Sequence, residues 1–154
     1  MNYEINGFAD IYTILSNERR VGGAIEAESI QLRSGEVFKH PVVTNIDFTG
    51  STFYTISFIS DTGLKMIVNV NEIRAIVSPA HKRIKDLKNS YYKNLKVNEK
   101  LKYLNRLCEV NEGCYTEPFV QEVKAIINDI GLESVGSQLN IDFLRKKQNV
   151  VQIA

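Results

Sequence analysis

Residues Thr52–Val77 read TFYTISFISDTGLKMIVNVNEIRAIV, and the rest of the fold has to be built around this stretch. Two runs within it, Phe53–Ser60 and Lys65–Asn71, alternate along the chain with the two-residue period of a half-buried β-strand, and they are rich in β-branched and aromatic residues. Between them, Asp61-Thr62-Gly63 has the residue types of a tight turn, because glycine adopts positive φ angles without steric cost. The pattern predicts an antiparallel hairpin.

Short β-like runs lie on both sides of the hairpin. Ser29–Arg33 and Glu36–His40 flank a turn at Ser34-Gly35, and Val42–Phe48 precedes the hairpin. After it, Glu72–Val77 gives a tight turn and a short closing strand. About five strands with turns roughly ten residues apart predict a small antiparallel β-barrel or a strongly bent sheet.

Helices are predicted at both ends of this β region. Phe8–Arg20 carries apolar residues at helical spacing, although Thr13 and Ile14 also permit a strand, and Gly22-Gly23 ends the element. After Pro79, which ends the β region, we predict a helix over Ala80–Leu95. We predict two further helices, Glu99–Val110 capped by Asn98 and a third that begins at Thr116 and ends at Gly131. The chain is therefore predicted to be α+β, with a β-rich domain over residues 1–79 and a helical region over 80–154 packed on it, or one single domain.

The order of elements over residues 8–79 resembles an Sm-like fold, the small barrel of RNA-binding rings, and SH3-type barrels share the same spacing. An opening helix is followed by the strand–Gly–strand pair SIQLRSGEVF, then by VVTNIDF, the central hairpin and EIRAIVSP. The chain departs from the family in two places. No Asn follows Asp47 where the family reads bases, and the glycine usual in the second strand is replaced within Phe38-Lys39-His40-Pro41.

Composition limits the class of protein. A chain of 154 residues with 44% hydrophobic and 24% charged residues is typical of a soluble globular protein. No apolar run approaches the roughly 20 residues of a membrane span, and the N-terminus lacks the pattern of a signal peptide. Two cysteines do not make a disulfide framework, which favours a reducing compartment. We expect a cytoplasmic protein without a membrane partner.

Positive charge is concentrated in one segment of an otherwise acidic chain. Residues 81–106 hold nine Lys or Arg against two Asp or Glu, whereas residues 1–78 and 107–154 each have a net charge of −3. Such a segment indicates binding to phosphates, with a nearby tyrosine able to stack on a base. The ordinary alternative is the solvated face of an amphipathic helix. The candidate binding residues are Lys82, Arg83, Lys85, Lys88, Tyr92, Lys93, Lys96 and Lys100; Tyr91 falls on the apolar face and is predicted to be core.

A second DNA-binding pattern lies near the C-terminus. Glu133–Lys147 has a small residue at Gly136, a turn at Asn140 and a basic second helix, which resembles a helix-turn-helix. Lys146, however, occupies a position that should be apolar, and an ordinary helical hairpin explains the segment better.

Catalytic and metal-binding patterns are weak. Cys108, Cys114, His40 and His81 do not form the paired ligand spacing of a zinc site. Asp47 and the region of Glu72 lack the spacing of a metal-dependent nuclease, and no glycine-rich phosphate loop is present. We therefore predict no enzyme activity, no metal and no cofactor.

Two functions remain as predictions. The first is a regulatory protein that binds nucleic acid or another acidic or phosphorylated ligand through the basic segment. The second is a protein-interaction module, such as an inhibitor or immunity-type protein from a phage or mobile element, that docks on a partner protein. For either function we expect homo-oligomers, because the hairpin and the helix after Pro79 carry apolar side chains on two faces.

Overall fold

The computed structural model describes residues 4–136 and Leu144. It has two compact units, Met1–Lys96 and Val97–Ala154, and the boundary lies inside one helix. The α+β prediction is confirmed: a helix is followed by antiparallel sheets of five and three strands and then by further helices. Among the described residues neither sheet closes on itself, so the sheets are open and do not form a barrel.

The first unit contains one complete helix, eight strands and two 3-10 turns. Their bounds are α1 Phe8–Val21, β1 Ala24–Glu26, β2 Ser29–Leu32, β3 Val37–Lys39, β4 Val42–Thr49, β5 Thr52–Ile59, β6 Lys65–Asn69, a 3-10 turn Val70–Glu72, β7 Ile73–Val77, β8 Ala80–Lys82 and a 3-10 turn Ile84–Asp86. The other helices within residues 4–136 are α2 Ser90–Val110, which crosses the boundary, α3 Glu117–Ile130 and α4 Leu132–Val135.

The predicted central hairpin is confirmed. β5 and β6 pair antiparallel with Ile56 opposite Val68 and Ser57 opposite Ile67, and Gly63 in the connection has a φ of 88°. This hairpin is one end of the larger sheet, whose strand order is β6-β5-β4-β1-β8. The smaller sheet has the order β3-β2-β7.

The predicted N-terminal helix is also confirmed, and it supplies part of the core. Ile11 and Ile14 of α1 are buried with Ile25, Ile46 and other residues of the larger sheet. The helix ends at Gly22, whose φ of 72° a β-branched or bulky residue adopts only with strain.

The second unit is helical. Among the described residues, its buried apolar side chains are Leu104, Phe119, Val120, Val123, Ile130, Val135 and Leu144, and Asp129 is also buried. The predicted helix after Thr116 is confirmed as α3, and it ends where Gly131 takes a φ of 90°. No helix in the described part of the chain is long and apolar enough to cross a membrane.

The predicted helix over Ala80–Leu95 is wrong in its first ten residues. Ala80–Lys82 forms the edge strand β8, which pairs with β1 so that His81 lies opposite Ile25. Ile84 and Leu87 are buried, as their apolar spacing indicated, but they belong to a 3-10 turn and the loop after it. The physical reason is that β1, which pairs with β4 on one side, gains a second hydrogen-bonded neighbour from this strand. Pro79 therefore does not end the β region.

The predicted helix break at Asn94–Asn98 is also wrong, because α2 runs without interruption from Ser90 to Val110. The change in apolar phase coincides with the boundary between the units, so each half of α2 belongs to a different core. Asn98 is an exposed residue inside the helix and caps nothing. Of the segment 133–147 proposed as a helix-turn-helix, only residues 133–136 and Leu144 are described; the rest of that prediction lies outside the described residues.

Candidate functional site

The eight candidate residues do not share one helix. Lys82 lies in β8, Arg83 follows it, Lys85 lies in the second 3-10 turn and Lys88 lies in the loop before α2. The other four, Tyr92, Lys93, Lys96 and Lys100, are in α2, and Lys100 belongs to the second unit. The basic segment is thus distributed over a strand, a turn, a loop and a helix.

Lys82 has a partner inside the fold. Its Nζ donates to Oε1 of Glu26 at 2.9 Å, where the glutamate side chain is 0% exposed and the lysine side chain is 28% exposed. A buried carboxylate is costly unless it is paired and hydrogen-bonded, so this lysine neutralises a charge of the protein itself. Its contribution to ligand binding is correspondingly small.

Glu26 also holds the start of α2. Its Oε1 accepts from the backbone N–H of Lys88 at 3.1 Å, and its Oε2 accepts from the backbone N–H of Asn89 at 2.8 Å. Both carboxylate oxygens are therefore satisfied by groups that follow β8. The pattern Ala24-Ile25-Glu26-Ala27 contained a signal for this role, because a charge inside a short apolar run needs a buried partner.

Asn89 completes the network. Its side chain is fully buried, its Nδ2 donates to the carbonyls of His40 and Ile59 at 2.9 and 3.0 Å, and its Oδ1 accepts from the backbone N–H of Tyr92 at 3.0 Å. An Asn at this position caps a helix. Since the backbone N–H groups of Lys88, Asn89 and Tyr92 already have protein acceptors, these three are not available to an external anion.

The structure reverses the roles predicted for the two tyrosines. Tyr92 was predicted to face the ligand, but it is 6% exposed, and Nζ of Lys96 lies 5.6 Å from the centre of its ring. Tyr91 was predicted to be core, but it is 48% exposed. The reason is that the helix begins at Ser90, so the helical phase extrapolated from Ala80 does not apply.

Tyr91 is supported on one side by Gly63. A Cβ atom at Gly63 would approach the Tyr91 ring to 2.8 Å, so the ring lies directly against this turn. Glycine at this position therefore serves both the positive φ of the turn and the close approach of the aromatic ring. The turn thus covers part of the ring, while about half of the tyrosine remains accessible.

Three lysines near Tyr91 in the sequence carry charge that the protein does not neutralise. Lys85 and Lys88 are exposed and Lys93 is half-buried, and none of them forms an ion pair within residues 4–136. Arg83 and Lys96 differ, because both take part in interactions inside the fold. We call Lys85, Lys88, Tyr91 and Lys93 the Tyr91 surface.

The thiols and carboxylates do not form a metal site among the described residues. No three His, Cys, Asp or Glu side chains in that part of the chain could hold a metal ion together. Cys108 is half-buried, and burial raises the pKa of its thiol, which lowers its reactivity. Asp47 pairs with Thr55 across β4 and β5, and Glu72 ends the 3-10 turn before β7.

No protein-family model, curated protein or solved structure matches this chain. A function for the protein therefore has to be argued from its own residues.

Proposed function

We propose that this protein is a non-catalytic binding protein and that its ligand is a nucleic acid held at the Tyr91 surface. The observation that carries the proposal is the exposed Tyr91 ring, seated on Gly63 and flanked in sequence by Lys88 and Lys93, which lack ion pairs among the described residues. An exposed aromatic ring with unpaired lysines close to it in the sequence is a combination that can stack on a base and neutralise the adjoining phosphates.

The buried network supports this surface. Glu26 and Asn89 bind the backbone N–H groups of Lys88, Asn89 and Tyr92, so the backbone that carries Lys88 and Tyr91 is fixed before a ligand arrives. A surface that is ordered in advance loses less conformational entropy on binding. Lysine acts as a point charge and does not read a base edge in the bidentate manner of arginine, so we expect little sequence preference.

Fluorescence anisotropy with a labelled single-stranded oligothymidylate tests the proposal. Tyr91→Ala should weaken binding about 5- to 100-fold, the range expected for one stacked base. Tyr54→Ala is the matched control, because Tyr54 is 47% exposed but lies in β5 outside the Tyr91 surface. Its affinity should equal that of the wild-type protein.

The charges are tested by reversing Lys85, Lys88 and Lys93 to Glu together. The affinity should fall further, and the slope of log K against log salt should decrease by about 2, since each phosphate contact on a single strand contributes about 0.7. The control variant replaces Arg33, Lys39 and Lys124 by Glu, which changes the net charge by the same amount as the first triple substitution. Equal losses in both triple variants, or no oligonucleotide binding by the wild-type protein, would overturn the proposal and leave docking on a partner protein as the better explanation.

Homo-oligomer formation stays a prediction that the same preparation can test. Light scattering gives the mass of the native particle, and the absorbance spectrum shows whether nucleic acid accompanies it. We expect a mass of at least two chains with co-purified nucleic acid. A monomeric mass would contradict the prediction of homo-oligomers, but it would not contradict the proposed binding of nucleic acid at the Tyr91 surface.

A further inference from the structure

A groove of about 380 Å³ lies in the first unit, and none of its lining residues belongs to the basic segment. One wall consists of residues 5–8 and Ile11, from the entry into α1 and its first turn. The other wall consists of Ile73–Ile76 of β7, with Val70 and Pro79 at its ends. Its volume is within the range of cavities that bind ligands in proteins.

The second wall is the unpaired edge of a sheet. β7 is the last strand of the order β3-β2-β7, and within the described chain it pairs only with β2. Successive side chains of a strand point to opposite faces, yet four consecutive residues of β7 border the groove. The groove therefore runs along the edge of the strand, where backbone N–H and C=O groups are available to a further strand.

The walls are mostly apolar, with Asn6 and the cation of Arg74 as their polar side chains. Ile5, Phe8 and Ile76 are partly buried and pack against the core, so the walls exist without a ligand. Arg74 is exposed at the groove and forms no ion pair among residues 4–136. A guanidinium beside an apolar channel is complementary to a carboxylate carried on an apolar segment.

We propose that this groove binds an extended peptide segment of a partner protein, which adds a fourth strand beside β7. Main-chain hydrogen bonds to the β7 edge supply part of the affinity, and apolar side chains enter the groove at every second position. An Asp or Glu of the peptide pairs with Arg74. The proposal uses none of the residues of the Tyr91 surface, so the two can fail separately.

Gly7 offers a way to fill the groove without disturbing the fold. Its φ of −173° is available to any residue, and an added Cβ would meet nothing within 4 Å. Gly7→Leu should therefore add an isobutyl group at the lining of the groove, at a cost of up to about 1 kcal/mol because leucine is a poorer N-cap of α1 than glycine. Thermal unfolding of this variant verifies that the fold is intact.

A phage-displayed library of random seven-residue peptides is selected on the wild-type protein and counter-selected on Gly7→Leu. We expect enriched peptides that are free of proline, apolar at alternate positions and acidic at one position. Arg74→Glu should weaken the best synthetic peptide at least 10-fold, whereas Arg33→Glu, an exposed arginine in the turn after β2, should not change its affinity. No enrichment over Gly7→Leu would overturn the proposal.

The position of the bound peptide is checked by NMR. On titration, the amide signals of β7 and of residues 5–11 should shift, and hydrogen exchange of β7 should slow. The same peptide with alternate backbone nitrogens methylated should bind at least 10-fold more weakly, because it cannot complete the strand. Three results would overturn the proposal: equal binding of the methylated peptide, concentration-dependent dimerisation with the same shifts, which would identify a second copy as the occupant, or binding that appears only after residues 1–3 are deleted.

Discussion

The basic segment supplies two regions that differ in what their charges do. In the buried network, Lys82 neutralises Glu26 and the loop before α2 is tied to both carboxylate oxygens. At the Tyr91 surface, Lys85 and Lys88 are exposed and have no ion pair among the described residues. Lys82 and Lys88 are six positions apart in the sequence, yet the side chain of Lys82 has a partner in the fold, whereas the exposed side chain of Lys88 is one that we propose binds a ligand.

This difference shows why counting the positive charges of a segment overestimates how many of them are available to a ligand. A lysine beside a buried carboxylate contributes to folding, since removing either partner leaves an unpaired polar group in the core. A lysine without a partner contributes little to stability and is available to a ligand. The predictions below test this division, beginning with the largest expected effect.

Replacing Glu26 by Ala should cost about 3 kcal/mol of unfolding free energy. The substitution removes the acceptor of Lys82 and of two backbone N–H groups at the start of α2, in a fully buried place. Urea denaturation measures the loss. Glu28→Ala is the control, because Glu28 is exposed two residues away and should change stability by less than about 0.5 kcal/mol. Equal effects of the two substitutions would contradict the assignment of Glu26 as the centre of the network.

The neighbouring tyrosines should separate stability from binding. Tyr92→Ala should lose about 3 kcal/mol, because it removes a buried aromatic ring. Tyr91→Ala should lose about 1 kcal/mol or less, because half of its ring is already in water. Chemical denaturation of both variants, read beside the oligonucleotide affinities, gives the comparison. A larger stability loss for Tyr91→Ala would restore the roles predicted from the sequence.

Asn89→Ala should cost about 2 kcal/mol. It leaves two carbonyls without their amide donor and removes the cap at the Tyr92 backbone N–H. Asn98→Ala is the matched change at the residue that the sequence had placed as a cap. Asn98 is exposed inside α2, where alanine has the higher helix propensity, so thermal unfolding should show no loss and at most a slight gain. If Asn98→Ala lost as much stability as Asn89→Ala, the result would contradict the assignment of Asn89 rather than Asn98 as the helix cap.

The smallest effect is expected at Tyr103 in the second unit. Its hydroxyl donates to Oε1 of Glu122, and this hydrogen bond, with a smaller contribution from burial, raises the pKa of the phenol above its ordinary 10.0. The protonated form is the one favoured in the folded state. The stabilisation is therefore complete below about pH 10 and is lost as the pH rises through the raised value.

Ultraviolet absorbance titration of tyrosinate checks this assignment. Glu122→Gln should bring the pKa of Tyr103 back toward its ordinary value, and Tyr103→Phe should remove the same transition from the curve. Because the tyrosine is 43% exposed, neither change should alter stability measurably at neutral pH. An unchanged titration curve in Glu122→Gln would show that the carboxylate is not the cause of the shift.

The sequence alone determined the elements whose pattern is local. Alternation over Thr52–Val77 predicted the β5–β6 hairpin, and the helical spacing of Ile11 with its neighbours predicted α1. Glycines at turns and helix ends marked where these elements stop, because their positive φ angles are a property of the single residue. The concentration of charge in residues 81–106 was likewise visible without a structure.

Tertiary structure decided everything that depends on a partner far along the chain. Glu26 lies 56 residues from Lys82 and 63 from Asn89, so no local pattern could show that they meet. Together with the pairing of β8 and β1, these contacts accompany a helix α2 that begins at Ser90, with Tyr91 exposed and Tyr92 buried. The physical reason is that the satisfaction of a buried charge is a long-range requirement, and it outweighs the helix propensity of the segment that satisfies it.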